Sequence, residues 1–208
     1  MERHGCSGMF HSRPLLFAHL PTIETERLIL RKVVPADAAD LFAYGRDPEV
    51  ARHVLWDAYR SEAEARMYVR YLQRQYRGDQ PTSWGIVHKT DRKMIGTIGF
   101  MWWNHDHNST EVGYSLSRSY WNHGYMSEAL SPIIDFAFEQ MCVHRVEAQH
   151  ESDNPASGRV MEKVGMCYEG TLRGRVYNKG RYADMALYAI TEDMWRTSTV
   201  PTEGGAHG

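Results

Sequence analysis

Apolar positions Ala129, Leu130, Ile133, Ile134, Ala137, Phe138 and Met141 recur at spacings of three and four, the signature of one buried helix face. Just before them, residues 110–116 read as a strand, and Trp121-Asn122-His123-Gly124 as a short loop with a single glycine. A second strand, 145–150, follows. The chain thus runs strand, loop, helix, strand, which predicts a parallel crossover. Pro132 sits inside the helical pattern, where proline costs ~3 kcal/mol. A start at Ser131-Pro132 would avoid that cost. The apolar stripe already includes Ala129 and Leu130, so the early start with a bend near Glu128 is preferred.

The remaining pattern supplies strands at 27–33, 84–88, 94–103, 166–172 and 182–190, separated by polar or glycine-containing turns. Pro35-Ala36-Asp37 opens one helix and Asp47-Pro48 a shorter helical piece, since proline is tolerated in a first turn. Residues 61–76 form an amphipathic helix, with Ser61 and Glu64 spaced as a capping box and Gly78 as the stop. Asn154-Pro155 reads as a cap and first turn, followed by Ala156, Val160, Met161 and Val164 on one face and Gly165 as the C-terminal stop. Residues 1–22 show no period and are expected to be a flexible extension. Residues 23–196 form one domain, and residues 197–208 a disordered tail.

The strand–loop–helix stretch carries candidate chemistry. A helix start exposes N–H groups with no internal partner, and the macrodipole adds positive potential there. Such an end binds phosphate without a basic side chain, and Gly124 lets the backbone approach the anion. An ordinary strand-to-helix turn would look the same over these ten residues, so the context has to decide.

That context resembles a known family, the GNAT superfamily of acetyl-CoA-dependent N-acetyltransferases. Within it the chain is similar to the branch that acetylates the N-termini of ribosomal proteins. The resemblance rests on Glu24-Thr25-Glu26-Arg27-Leu28, Ile95-Gly96-Thr97-Ile98-Gly99-Phe100, Glu111-Val112-Gly113-Tyr114 and Tyr120-Trp121-Asn122-His123-Gly124-Tyr125-Met126-Ser127-Glu128-Ala129-Leu130. It continues through Asn154-Pro155-Ala156-Ser157, Lys163-Val164-Gly165-Met166, Tyr168-Glu169-Gly170 and Gly180-Arg181-Tyr182-Ala183-Asp184. It implies an α+β (mixed α/β) GNAT fold. Its central, mostly antiparallel seven-stranded sheet is splayed between the fourth and fifth strands, with helices on both faces. It implies acetyl-CoA as cosubstrate and no metal.

On this resemblance the pyrophosphate would lie on the N–H groups of Asn122, His123, Gly124, Tyr125, Met126 and Ser127. The pantetheine arm would pair with Tyr114, Ser115 and Leu116 and with the Asn154 side chain, a form of strand addition. Two residues depart from the wider superfamily, which prefers Arg or Gln at Trp121 and Gly or Ala at Met126. A long side chain at Met126 must turn away from the phosphates, and core packing is its expected role.

The reaction needs a neutral amine and a proton for the departing thiolate. An α-amine with pKa near 7.7–8.0 is short of neutrality at pH 7 by about 1 kcal/mol, and a lysine amine by roughly 4–5 kcal/mol. Glu111, at the start of the fourth predicted strand, where the resembled superfamily often places a catalytic Glu, is the candidate base; it shares a face with Gly113 and Ser115. A strand-end Glu paired with Arg or water is the plainer alternative. The carboxylate that some relatives carry after the sixth strand is absent, since Arg175-Val176 stand there. Many superfamily members use a tyrosine where Met161 stands; the resembled branch instead has a Ser three residues after the Asn, which makes Ser157 the candidate partner of the thiolate. Its plainer role is bonding backbone at a helix start.

Composition narrows the classes. A net charge of −2 argues against a general nucleic-acid binder, and no apolar run approaches the ~20 residues that span a bilayer. Leu15-Leu16-Phe17-Ala18 is too short for a secretory signal. Cys6, Cys142 and Cys167 give neither metal spacing nor a disulfide framework, so a reduced, cytoplasmic setting is expected. His105-Asp106-His107 lacks a third metal ligand. The acceptor is either a protein N-terminus or a small amine such as an antibiotic or polyamine. A non-catalytic acyl-CoA sensor is the reading from another class. Oligomeric state is open between a monomer and a homodimer.

Overall fold

The computed structural model describes residues 15–199. One eight-stranded sheet forms its centre: β1 (Ile23–Glu24), β2 (Leu28–Lys32), β3 (Ser83–His88), β4 (Lys93–Asn104), β5 (Ser109–Leu116), β6 (Arg145–Glu151), β7 (Cys167–Asn178) and β8 (Arg181–Thr191). The order across the sheet is β1-β2-β3-β4-β5-β6-β8-β7. Only β5 and β6 run parallel. This is the mixed, mostly antiparallel GNAT-type sheet, with the two-residue β1 as an eighth strand beyond the seven expected.

Helices cover both faces. α1 (Ala38–Gly45), α2 (Pro48–Ala51) and α3 (Glu62–Arg77) precede β3. α4 (Tyr125–Glu139) follows β5, α5 (Pro155–Lys163) follows β6, and α6 (Glu192–Thr199) ends the described chain. On the α4 face Trp84 and Phe100 meet Phe136 edge-on or stacked, with Leu130 and Ile133 fully buried beside them. On the other face Tyr76 of α3 donates to the Ser83 carbonyl (2.7 Å) and accepts from Val33 N–H (3.0 Å).

β5 and β6 pair only at Ser109, Thr110 and Glu111 against Arg145, Val146 and Glu147. Beyond Glu111, β5 stays with β4 to Leu116, while β6 pairs with β8 along its whole length. The two strands therefore part, leaving the β5 edge from Val112 to Leu116 without a strand neighbour on that side. This is the expected splay.

The start of α4 is fastened from across the sheet. Thr25 Oγ1 donates to Glu128 Oε1 (2.6 Å), Arg27 N–H to the same oxygen (2.7 Å), and Arg27 Nε to Oε2 (2.7 Å). Arg27 Nη1 also donates to the His123 carbonyl (3.0 Å), and its guanidinium lies 4.3 Å from the Tyr125 ring centroid. Burial alone would raise the Glu128 carboxyl. The bonds from Thr25 and Arg27 outweigh it and hold the group below the usual carboxylate range. The helix begins early, as expected, and runs through Pro132.

Several expectations are corrected. Residues 15–22 are not a loose extension: Phe17 and Leu20 are buried, and Asp79 Oδ1 accepts from the N–H groups of Phe17 (2.7 Å) and Ala18 (2.9 Å). Residues 1–14 lie outside the described part. The expected tail at 197–208 begins too early, since α6 extends to Thr199; Trp195 stacks on Phe138 and donates to Asp135 (2.7 Å). Residues 200–208 are outside the described part. Ser61 is the N-cap of α3 but makes no side-chain cap bond, and Glu64 accepts from Arg60 N–H (2.8 Å) instead. Cys167 is a free, exposed thiol.

The Glu128 cluster predicts a stability effect. Glu128→Gln should destabilise the fold by roughly 1–3 kcal/mol at neutral pH, as expected for charge-assisted bonds. Because the folded-state pKa is depressed, this contribution is present above the unfolded value and lost as pH falls through the folded one. Urea titrations of parent and variant should therefore differ at pH 7 and converge in acid.

Candidate active site

A cavity of about 530 Å³ opens where β5 and β6 part. Its wall contains Tyr114, Ser115 and Leu116 of β5, the loop residue Asn122, and Gly124, Tyr125, Met126 and Ser127 at the start of α4. Asn154, Ala156, Ser157, Arg159, Val160 and Lys163 complete it from α5, and Glu49, Val50, His53 and Val54 from α2 and the loop after it. Ten of the twelve expected site residues thus share one cavity.

The loop before α4 turns twice through left-handed conformations, at Asn122 (φ 62°) and Gly124 (φ 81°). Gly124 is the N-cap, and the N–H groups of Asn122, His123 and Gly124 find no acceptor among the described residues. Tyr125 and Met126 add N–H groups of the first turn, which have no intrahelical partner by construction. A Cβ on Gly124 would meet only Arg27 Nη2, at 3.6 Å, so space remains for an anion. Met126 is 5% exposed and buried in the core, as expected for a side chain turned from the phosphates.

Along the gap, Leu116 O accepts from Trp121 Nε1 (2.8 Å), so the indole already occupies part of the exposed strand edge. Asn154 stands at the N-cap of α5 with no side-chain cap bond, which leaves its amide free toward the cavity. α5 sits tightly on the sheet. A Cβ at Gly158 would come within 2.8 Å of His150 Nε2 and 2.9 Å of Tyr188 Oη.

Ser157 Oγ lies 2.9 Å from Tyr114 Oη, and the phenol also reaches the Ser157 carbonyl at 3.1 Å. Burial pushes the Tyr114 phenol well above its ordinary range, so it is a neutral hydroxyl. Tyr114 is expected to serve through its backbone. The fold brings its hydroxyl beside Ser157, while Met161, at the superfamily's tyrosine position, is buried in the core.

Two expected residues are not on the cavity wall. His123 turns away: its carbonyl accepts from Arg27 and its ring stacks on Tyr125 with centroids 5.8 Å apart. Glu111 sits at the head of the gap, where the strands still pair. Its Oε2 accepts from Trp102 Nε1 (2.8 Å), with Gln149 Nε2 at 3.4 Å. Burial pushes its carboxyl above the usual carboxylate range despite the bond from Trp102, and Glu147 nearby adds to the rise.

The sequence reading missed His53, Arg159 and Lys163. The i, i+4 spacing of Arg159 and Lys163 on a helix already assigned to the site was a usable signal. No local pattern marked His53. Its Nδ1 lies 3.1 Å from Glu151 Oε2 and 3.3 Å from Asp153 Oδ1. These three side chains offer ligand atoms within 4.8 Å of one another, but Arg181 Nη2 donates to Glu151 Oε2 (2.6 Å) and supplies the positive charge a cation would bring.

Residues 27–167 match the model of the acetyltransferase (GNAT) domain family. The uncharacterized N-acetyltransferase YoaA of Bacillus subtilis is 32% identical over 172 residues, covering 83% of this chain and 97% of YoaA. A crystal structure of a GNAT-family acetyltransferase from Bacillus anthracis superposes with a TM-score of 0.74 at 28% identity, covering 83% of this chain and 99% of that one. RimL, a ribosomal L7/L12 α-N-protein acetyltransferase solved with coenzyme A, shares the fold with a TM-score of 0.75 at 21% identity, over 84% and 99% of the two chains. With an open strand edge, a helix N-terminus and a family match over most of its domain, this chain belongs to the GNAT acetyltransferases and is an acyltransferase of the N-acetyltransferase type.

Proposed function

We propose that the protein transfers the acetyl group of acetyl-CoA to the N-terminal α-amine of a protein, with ribosomal proteins as the favoured class. One observation supports the acetyl-CoA part of this reading: the unpaired β5 edge, the free N–H groups around Gly124 and the Ser157 hydroxyl all face one cavity. The pyrophosphate is held by N–H groups between Asn122 and Ser127, with Arg159 and Lys163 supplying positive charge from α5. The pantetheine amides pair along Tyr114–Leu116 and with Asn154. The pairing needs the edge that Trp121 now touches. The His123 side chain takes no part in this scheme.

The amine attacks the thioester carbonyl, and Ser157, paired with Tyr114, hydrogen-bonds the developing thiolate. Glu111 removes the first proton, from the ammonium. Its upward-shifted carboxyl suits that task better than an ordinary Glu would. An α-amine acceptor makes the smallest demand on such a base. The RimL likeness supports the same acceptor class by analogy of fold. A small polycationic acceptor is the competing reading, favoured by Glu49 on the cavity wall and exposed Asp153 close by.

Thiol release from acetyl-CoA should be measured over peptides with free and blocked N-termini and over small amines. Turnover of free-N-terminus peptides, and none of blocked ones, is expected. Polyamine turnover alone would select the competing reading, and cofactor binding without any turnover would make the protein a sensor.

Three variants probe the site. Ser157→Ala should lower kcat roughly 10²-fold while acetyl-CoA affinity holds, the usual effect of losing one transition-state donor. Glu111→Gln should lower kcat/KM and remove an acid limb that lies above the ordinary carboxylate range, because the base form appears only as pH rises through the raised pKa. Gly124→Ala should destabilise the fold by roughly 1–2 kcal/mol in urea titration, since an L-residue held left-handed costs about that much.

A further inference from the structure

Two protons leave the attacking nitrogen during acetyl transfer. The first is lost from the ammonium, and the second from the tetrahedral adduct after the C–N bond has formed. The first falls to Glu111 in the reading above. The second must leave beside the thioester, and Glu111 is not on that stretch of wall.

His53 lines the same cavity as Ser157, Tyr114 and Asn154. Its ring is 19% exposed and held from the protein side. Nδ1 faces Glu151 Oε2 at 3.1 Å, and Glu151 is 2% exposed. Glu151 is fixed in turn: Asn178 Nδ2 donates to Oε1 (2.7 Å) and Arg181 Nη2 to Oε2 (2.6 Å). Burial works against the charged carboxyl, but bonds from Asn178 and His53 and the Arg181 charge keep Glu151 below the usual carboxylate range. A buried, ionised carboxylate on Nδ1 selects the tautomer with the proton there. Nε2 is then the basic nitrogen, and it has no hydrogen-bond partner among the described residues. A donated Nδ1–H toward a fixed carboxylate is how a catalytic imidazole is oriented in general.

We propose that His53, oriented by Glu151, shuttles the second proton from the adduct nitrogen to the departing sulfur. This rests on the acetyltransferase reading and deepens it. Nε2 accepts the proton from the adduct nitrogen, giving an imidazolium whose charge Glu151 and Asp153 offset. The C–S bond breaks as the C–N amide is completed. The imidazolium returns its proton to the thiolate, and coenzyme A leaves as the thiol with His53 neutral again. The net release of one proton to solvent is that of the ammonium. An imidazole with one free ring nitrogen can accept a proton from the adduct nitrogen and hand it to a thiolate. Glu151 is a positioning residue, because it acts only through the ring.

The charged groups around His53 are Glu151, the last residue of β6, Asp153 just beyond it, and Arg181 of β8, which bonds Glu151; Glu49, paired with Arg52, shares the cavity wall with His53. Lys179 is near, bonded to the Val54 and Trp56 carbonyls.

The test uses the full chain, acetyl-CoA and the best acceptor from the panel above. His53→Gln and His53→Ala should each lower kcat at least 30-fold with acetyl-CoA affinity within threefold of the parent. Added imidazole should restore part of the rate to His53→Ala and none to Ser157→Ala. Glu151→Gln, checked for native circular dichroism, should lower kcat less than His53→Gln does and shift the pH–rate profile. A parent that turns over while His53→Gln keeps kcat within threefold overturns the shuttle and leaves the acetyltransferase reading standing. A parent that binds acetyl-CoA and releases no thiol overturns both.

Discussion

The carboxylate of Glu128 is the point on which the site depends. It lies in the first turn of α4 and gathers the Thr25 hydroxyl, the Arg27 N–H and the Arg27 guanidinium from the entry into β2. A negative charge at a helix start is favourable in itself. Here it also ties the N-terminus of α4 to a strand on the far side of β5. The same Arg27 takes the His123 carbonyl, so the loop is held by its outward-facing acceptors. Its N–H groups stay uncommitted as a result. Two motifs a hundred residues apart are thereby halves of one fastening.

The second constraint is the choice of partner by β6. It pairs with β5 over three positions and with β8 over seven, so the sheet is continuous and yet open in the middle. An exposed strand edge in a protein interior is normally a liability. Here it lines the cavity between α4 and α5, and Trp121 and the Tyr114–Ser157 pair sit beside it. The polar groups of the gap are neither buried without partners nor freely solvated. They suit an amide-bearing ligand.

Much of this was legible in the chain because it was local. The 3.6-residue stripe from Ala129 to Met141 outweighed Pro132, and α4 does start early. The strand–loop–helix order located most of the cavity wall. What escaped was set by distant or short features. His53 and Glu151 are 98 positions apart, and nothing near either one announces the other. α6 has eight residues, too few for a periodic stripe, and is secured by one indole against Phe138 and Asp135. The run Leu15-Leu16-Phe17-Ala18 is too short to show a period, yet Phe17 and the nearby Leu20 are core. Ser61 fits the capping pattern, but its hydroxyl makes no cap bond.

Gly158 gives the arrangement its tolerance. The helix carrying Ser157 rests on His150 and Tyr188 with no room for a single methyl group. The reach of the serine hydroxyl into the gap is therefore fixed by missing atoms at the next residue of its own helix. Adding a carbon there would act like a shim, lifting α5 without touching any reacting group. Since misplacement by about 1 Å can cost 10²-fold in rate, the thinnest point of the helix is also where the catalytic alignment is most easily spoiled from behind.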